Sequence, residues 1–312
     1  MLKRGLGHRV KVASIRKDPS PFTTTFPAEV LHVELESGEK TSIFLKRLGC
    51  EESDHPEKQR RDREIRLYEG LLKDDDLPVA KYYGSTWNAA THQYELFLEH
   101  VDDWNLKYQG LDVWFTAARR IAHLHAYFSA RVDRLLASDF LLHFDDSYFW
   151  FWAHRAVSVV AERSPDLAAN LDAVVRNYDL VTDLITSQPL TLVHNDLSPK
   201  NVIADRSRTP ARIIFVDWEM AGVGCGALDL VHLKYGLDRA SDRRMREAYC
   251  GELTGTGLVP TGAKDRNSLF MACEVHKTVY RLAFSTTWQL PIETVSRWVA
   301  ETQQFLRGIQ TA

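Results

Sequence analysis

Over the first hundred positions apolar residues alternate with polar ones in short runs, and beyond about residue 105 they recur every three or four positions, so a strand-rich segment precedes a helical one. Val10 to Ile15, Ala28 to Leu35 and Thr41 to Leu48 predict strands, and Glu36-Ser37-Gly38-Glu39 between the last two predicts a hairpin turn. The prolines and hydroxyls of Asp18 to Pro27 predict a loop. Glu57 to Leu72 predicts a helix with Ile65, Tyr68 and Leu72 on one stripe and the charges of Glu57 to Arg66 on a solvated face. Tyr94 to Glu99 reads as a further buried strand.

In the helical part, Val113, Ala117, Ile121, Leu124 and Phe128 share one periodicity, as do Leu171, Val174, Tyr178, Val181 and Ile185. Three short apolar strands are embedded there, Leu190 to Val193, Val202 to Ala204 and Ile213 to Val216; helices return at Ser268 to Ala283 and Glu293 to Leu306, and Asp242 to Glu247 reads as a solvated helix face. The chain is therefore an α+β protein, with an antiparallel β-rich part over residues 1–98, a hinge at 99–103 and a mostly helical part over 104–312.

A length of 312 residues, 45% hydrophobic and 26% charged, excludes a small disulfide scaffold and a disordered chain. The formal net charge of −3 gives no broad footprint for nucleic acid or an anionic membrane. Cys50, Cys225, Cys250 and Cys273 are too widely spaced for a structural zinc site. The N-terminus lacks the apolar core of a secretory signal and no run is long enough to span a bilayer, so a soluble cytoplasmic protein is expected, its oligomeric state open.

Polar residues concentrate at the ends of the embedded strands. Asp196 ends a loop entered from a strand, Asn201 follows five positions later, and Asp217 closes a second apolar strand sixteen positions after Asn201. Phosphoryl transfer needs these types: a carboxylate to take the attacking hydroxyl's proton, and an amide oxygen with a second carboxylate to hold magnesium. Either Asp196 or Asn201 alone would serve as a turn cap; the ordered set is much rarer than any one member.

His194-x-Asp196-x-x-x-x-Asn201 resembles the catalytic loop of the aminoglycoside phosphotransferase and choline kinase family of protein-kinase-like enzymes. Asp217-Trp218-Glu219 resembles its metal-binding turn, and Asp229-Leu230 after Gly222 and Gly224 resembles the element that buttresses the catalytic loop. The resemblance implies a two-lobed protein-kinase-like fold with ATP between the lobes and magnesium on Asn201 and Asp217. It further implies Asp196 as the base and His194 as support for the loop, while Lys200, just before Asn201, reads either as a cation near the transferred phosphate or as a solvent-facing lysine. Lys46 would touch the α- and β-phosphates, oriented by Glu64. Glu99, His100 and Val101 would read the adenine edge. The hydroxyl-rich loop from Pro19 to Pro27 stands where protein kinases carry glycines, and is read either as meeting phosphate through Thr23 and Thr24 or as an ordinary surface turn. Glu219 is either a water-mediated aid to the metal or a structural hydrogen-bonding group. No Gly-x-Gly-x-x-Gly precedes Lys46 and no activation segment follows Asp217, which favours a small-molecule kinase over a protein kinase.

Tyr148-Phe149-Trp150-Phe151-Trp152 reads first as core and second as an acceptor wall. On the second reading Asp145, Asp146 and Trp150 form the acceptor site, and with Asp102 and Asp103 suit a cationic molecule. The partner is then a small hydroxylated molecule: an aminoglycoside or other antibiotic, or a metabolite such as choline, homoserine or a sugar. A non-catalytic nucleotide-binding protein is the rival from another class.

Overall fold

The computed structural model describes residues 11–20, 26–49, 55–74 and 76–311. The described residues fall into two compact units, the first within 1–117 and 200–221 and the second within 118–199 and 222–312.

The first unit is built on a five-stranded antiparallel sheet of β1 (Val12–Pro19), β2 (Ala28–Leu35), β3 (Lys40–Arg47), β4 (Tyr82–Asn88) and β5 (Gln93–Glu99), in the order β1-β2-β3-β5-β4. Strand alternation sends Leu31, Val33, Leu35, Ile43 and Leu45 into one apolar cluster. The opposite face carries Ala28, Phe44, Lys46 and Leu98, because Lys46 pairs with Ala28 and Phe44 with Leu98 in the ladder. Helix α1 (Arg63–Gly70) buries Ile65, Leu67 and Tyr68, and the hairpin β8 (Val202–Asp205) and β9 (Arg212–Phe215) completes the unit. The hairpin is tied to the rest by Phe215 N–H donating to Pro78 O at 2.7 Å and by a bridge between Asn105 and Ile203.

In the second unit β6 (Leu142–His143), β10 (Gly222–Cys225) and β7 (Leu190–Val193) make a small sheet. Around it stand α3 (Val132–Leu136), α4 (Asp146–Ala161), α5 (Pro165–Val175), α6 (Asp179–Thr186), α7 (Ala227–Leu233), α8 (Arg239–Glu252), α9 (Ala263–Leu282) and α10 (Ile292–Thr311). Helix α2 (Leu111–Ser129) runs from one unit into the other, the division falling at Ala117. No helix among the described residues is long and apolar enough to cross a membrane.

Several elements differ from the sequence reading for identifiable reasons. The helix expected from Glu57 starts only at Arg63, after a 3₁₀ turn at Pro56–Lys58. Its charged face is not solvated: Glu57, Arg63 and Glu64 are buried, each with a polar partner. Likewise Asp242 and Arg246 are paired with each other at 2.9 Å and only half-exposed, whereas Arg243 and Glu247 face solvent. The loop expected at Asp18 begins later, since β1 continues to Pro19 as an edge strand that tolerates proline. The apolar series from Leu171 to Ile185 breaks at Arg176–Tyr178 into α5 and α6. Strand β4 escaped the pattern because it is a polar edge strand. Strand β10 escaped it because glycine has low strand propensity and Gly222 and Gly224 offer no side-chain pattern; a Cβ at Gly222 would lie 2.6 Å from the Leu142 carbonyl oxygen, so close strand packing demands glycine there.

Candidate active site

Within the first unit the sheet face that bears Ala28, Phe44, Lys46 and Leu98 opens on a pocket of about 600 Å³. Glu99, His100, Val101, Lys200, Asn201, Asp217 and Glu219 also line it, so residues distant in sequence meet in one cavity. The β8–β9 register explains part of this. Val202 pairs with Phe215 and Val216 N–H donates to Asn201 O at 3.0 Å, so Asn201 and Asp217 leave the same end of one hairpin.

Lys46 is the hub of the pocket's charge. Its ammonium donates to Glu64 Oε2 at 2.7 Å and to Asp217 Oδ1. Burial alone would lower the Lys46 pKa, but the Asp217 and Glu64 carboxylates overcome it and hold the group well above its ordinary value, charged at any physiological pH. The other Glu64 oxygen accepts from Trp218 N–H at 3.1 Å. Asp217 itself sits at a φ of 69°, a left-handed conformation that costs a residue with a Cβ and is sustained by its surroundings. Glu219 is engaged by Lys58, and the Arg63 guanidinium donates to the Glu219 carbonyl at 2.7 Å, so the segment after Asp217 is fixed on both sides.

The backbone of Glu99 to Val101 borders the same pocket. Glu99 N–H is taken by Lys81 O at 2.8 Å and His100 N–H reaches Ser42 O at 3.4 Å, while Val101 N–H has no partner among the described residues. The Glu99 carboxylate accepts from Arg212 at 2.6 Å. Thr23 and Thr24 lie outside the described residues.

Asp196 and His194 belong to the second unit, in the loop after β7. The His194 N–H and the Asn195 N–H both donate to the Asp229 carboxylate, each at 2.8 Å, and His125 Nε2 lies 3.2 Å from it. Asp229 is fully buried, so these donors replace its water. His194 is also fully buried, and its Nδ1 accepts from Asp196 N–H at 3.3 Å; it shapes the loop from inside. Asn195 adopts a φ of 63°, and Asp196 remains half-exposed.

Asp145 caps α4, its carboxylate accepting from Tyr148 N–H at 3.0 Å and from the Ser147 hydroxyl at 2.7 Å. Burial works against the Asp145 charge, but those bonds outweigh it and depress its pKa. Asp146 is exposed on the first turn of α4; Trp150 is half-buried against His154 and Tyr178, while Phe149 and Trp152 are core. Asp102 and Asp103 belong to the first unit, where the Asp103 carboxylate accepts from Arg206 N–H at 2.8 Å. Sequence reasoning missed His125, Lys58 and Arg63, whose roles come from partners more than a hundred positions away and leave no local signature.

The pocket's donor set fits magnesium. Asn201 and Asp217 offer hard oxygens at one hairpin end, and the ion commonly takes one or two protein ligands and completes its shell with phosphate oxygens and water. Among the described residues no group of three His, Cys, Asp or Glu could enclose an ion, so an all-protein cage is not the kind of site on offer.

A family model described as phosphotransferase enzyme family matches residues 33–261. No curated protein matches the chain by sequence at a significant level. Among solved structures, a microcompartment-associated aminopropanol kinase shares 15% identity over 97% of this chain and 94% of its own, with a TM-score of 0.61. The choline kinase of Streptococcus pneumoniae shares 16% over 99% and 98%, with a TM-score of 0.56. A GDP complex of an aminoglycoside 2'-phosphotransferase shares 14% over 100% and 95%, with a TM-score of 0.61. These likenesses give the chain a protein-kinase-like fold. With the family model covering well over half of its length, the chain belongs to the phosphotransferase enzyme family.

Proposed function

We propose that the protein transfers the γ-phosphoryl group of ATP, with magnesium, to a hydroxyl of a small molecule. The observation that carries this reading is the convergence of Lys46, Glu64, Asn201 and Asp217 on one pocket, in the order and residue types that phosphoryl transfer requires.

Lys46, held charged by Glu64, would bind the α- and β-phosphates, and Val101 N–H would donate to the adenine edge, with Glu99 and His100 beside it. Asn201 and Asp217 would hold magnesium. When bound, the ion neutralises charge on the β- and γ-phosphates. Asp196 orients the acceptor hydroxyl in line with the γ-phosphorus and takes its proton as the new P–O bond forms, the bridging P–O bond breaks and ADP leaves. His194 keeps that carboxylate in place through the loop, and Lys200, on the pocket wall, would meet the transferred group. The family match and the GDP held by a structural neighbour support nucleotide use.

Calorimetry with ATP and GTP, each with and without magnesium, tests the reading. Magnesium should strengthen ATP binding to the wild type and have no such effect on folded Asp217→Ala. Equal affinity in all four ATP titrations would remove the metal assignment, and tighter GTP binding would change the donor.

A further inference from the structure

The loop after β7 is anchored twice within the second unit, and both anchors converge on Asn195, the residue before Asp196. Asn195 is only 8% exposed and holds a φ of 63°. Its N–H donates to Asp229 Oδ1 at 2.8 Å, and its side-chain Nδ2 donates to the Tyr148 hydroxyl at 3.2 Å. The first bond joins the loop to α7 and the second joins it to α4. In sequence Tyr148 belongs to an aromatic run whose Trp150 reads as the acceptor-facing member. Trp150 instead packs on His154 and Tyr178, and it is Tyr148 that reaches the loop.

Tyr148 is a rigid support. It stands in the first turn of α4, where its N–H is taken by the Asp145 carboxylate at 3.0 Å. Its ring meets Phe144 edge-on at 4.8 Å and Phe149 at 5.5 Å, and lies 5.7 Å from the His276 ring. A tyrosine side chain turns about only two torsions, so a fixed backbone and a packed ring leave its hydroxyl little freedom. Asn195 needs such a support for two reasons. A buried amide without partners is costly. The left-handed region also penalises residues with a Cβ, asparagine less than most, and the φ and ψ of Asn195 set the direction in which Asp196 follows. Holding the amide therefore holds the backbone that carries the Asp196 carboxylate.

We propose that Tyr148 is a positioning residue for phosphoryl transfer: its hydroxyl fixes the Asn195 amide, and with it the aim of the Asp196 carboxylate at the acceptor hydroxyl. This rests on the reading of Asp196 as the group that takes the acceptor's proton. Asp145 then acts one step further back, by fixing the turn of α4 that carries Tyr148. A purely structural Tyr148 would only fill the aromatic cluster, and phenylalanine would fill it equally well. A misplaced base loses rate, so a positioning hydroxyl shows in kcat.

The full chain and its Tyr148→Phe, Asn195→Gly and doubly substituted variants are assayed for ADP release from magnesium–ATP with water as the acceptor, with Asp196→Asn as the reference for loss of the base. Glycine takes the left-handed conformation freely, so Asn195→Gly removes the amide and spares the backbone. Each single substitution should lower kcat about tenfold with the KM for ATP unchanged, and the pair should lower it no further than either alone. Wild-type kcat in either single variant overturns the proposal, as does a double variant whose loss is the product of the two single losses. Amide hydrogen exchange of the loop over residues 190–199, read by mass spectrometry, is a second measure independent of turnover. Both single variants should speed it about tenfold with exchange in α10 unchanged. An unaltered loop, or acceleration that extends equally to α10, overturns the proposal. If the wild type releases no ADP, or Asp196→Asn releases it as fast, the phosphotransferase reading of Asp196 fails, and the exchange result decides separately whether Tyr148 holds the loop.

Discussion

Glu64 and Trp218 are joined by a 3.1 Å hydrogen bond from the Trp218 backbone N–H to Glu64 Oε1, while Oε2 of the same carboxylate holds Lys46 at 2.7 Å. Because Lys46 also bonds Asp217, one carboxylate on α1 closes a ring that contains the left-handed residue Asp217. Glu64→Gln keeps an oxygen for Trp218 but drops the charge that confronts Lys46; Glu64→Ala removes both. Turnover should fall about tenfold in the first and about a hundredfold in the second, and Glu64→Ala should lower stability by about 3–5 kcal/mol, as for a broken buried ion pair. Steady-state kinetics and urea unfolding read the two effects. In a double-mutant cycle with Lys46→Ala the losses should overlap, and strict additivity would show that the two side chains act separately.

A second prediction concerns Gly226, a residue of the second unit. A Cβ on Gly226 would come within 2.5 Å of His125 Nδ1, the atom that bonds the Tyr249 hydroxyl at 2.8 Å. His125 in turn lies against Asp229, which anchors the backbone of His194 and Asn195. Gly226→Ala should therefore cost about 1–3 kcal/mol of stability through overpacking and lower kcat by disturbing the Asp196 loop. ATP affinity, measured by calorimetry, should not change. Weakened ATP binding with normal kcat would break the proposed chain from Gly226 to the loop.

The sheet was legible wherever one face is buried, because β2, β3 and β5 alternate strictly enough to set their own limits. That Asn201 and Asp217 would come together was legible because each stands at a strand end and the two are closely spaced in sequence. What stayed hidden was decided by distant partners. Glu57 and Arg63 look like a solvated face until the Glu57 and Glu219 carbonyls that take the Arg63 guanidinium are known. Asp145 reads as an acceptor acid until the N-terminus of α4 is seen to use it.

Acid should destabilise the second unit through His276. This side chain is buried beside the Tyr178 hydroxyl, which lies 3.1 Å from its Nδ1, and burial pushes its pKa down to about 3. An unfolded chain protonates the same histidine near pH 6.5. Between pH 6.5 and about 3 the unfolded state therefore binds a proton that the folded state refuses, and stability falls as pH falls, on the order of 1.4 kcal/mol per pH unit from this group. Urea midpoints at pH 7 and pH 4.5 measure the effect, and His276→Gln should flatten the slope. The same pH dependence in wild type and variant would show that His276 is not its source.

The last prediction isolates Asp196. Its carboxylate is half-exposed, with its backbone fixed by His194 and, through the loop, by Asp229, so position and charge can be separated by substitution. Asp196→Asn preserves size and most hydrogen bonding but cannot accept the acceptor's proton at the same cost. The kcat should fall about 10²- to 10⁴-fold, the range for removal of a general base. A loose transition state asks little of the nucleophile early, so part of the loss will be orientation, and the acceptor KM should change less than kcat. Magnesium–ATP affinity should persist because its proposed ligands, Asn201 and Asp217, are untouched. Kinetics with a validated acceptor, alongside calorimetry with ATP, checks both statements. Near wild-type kcat in the asparagine variant would take Asp196 out of the mechanism and favour a nucleotide-binding protein with incidental turnover; loss of ATP binding would mean that the substitution acts on the nucleotide pocket instead.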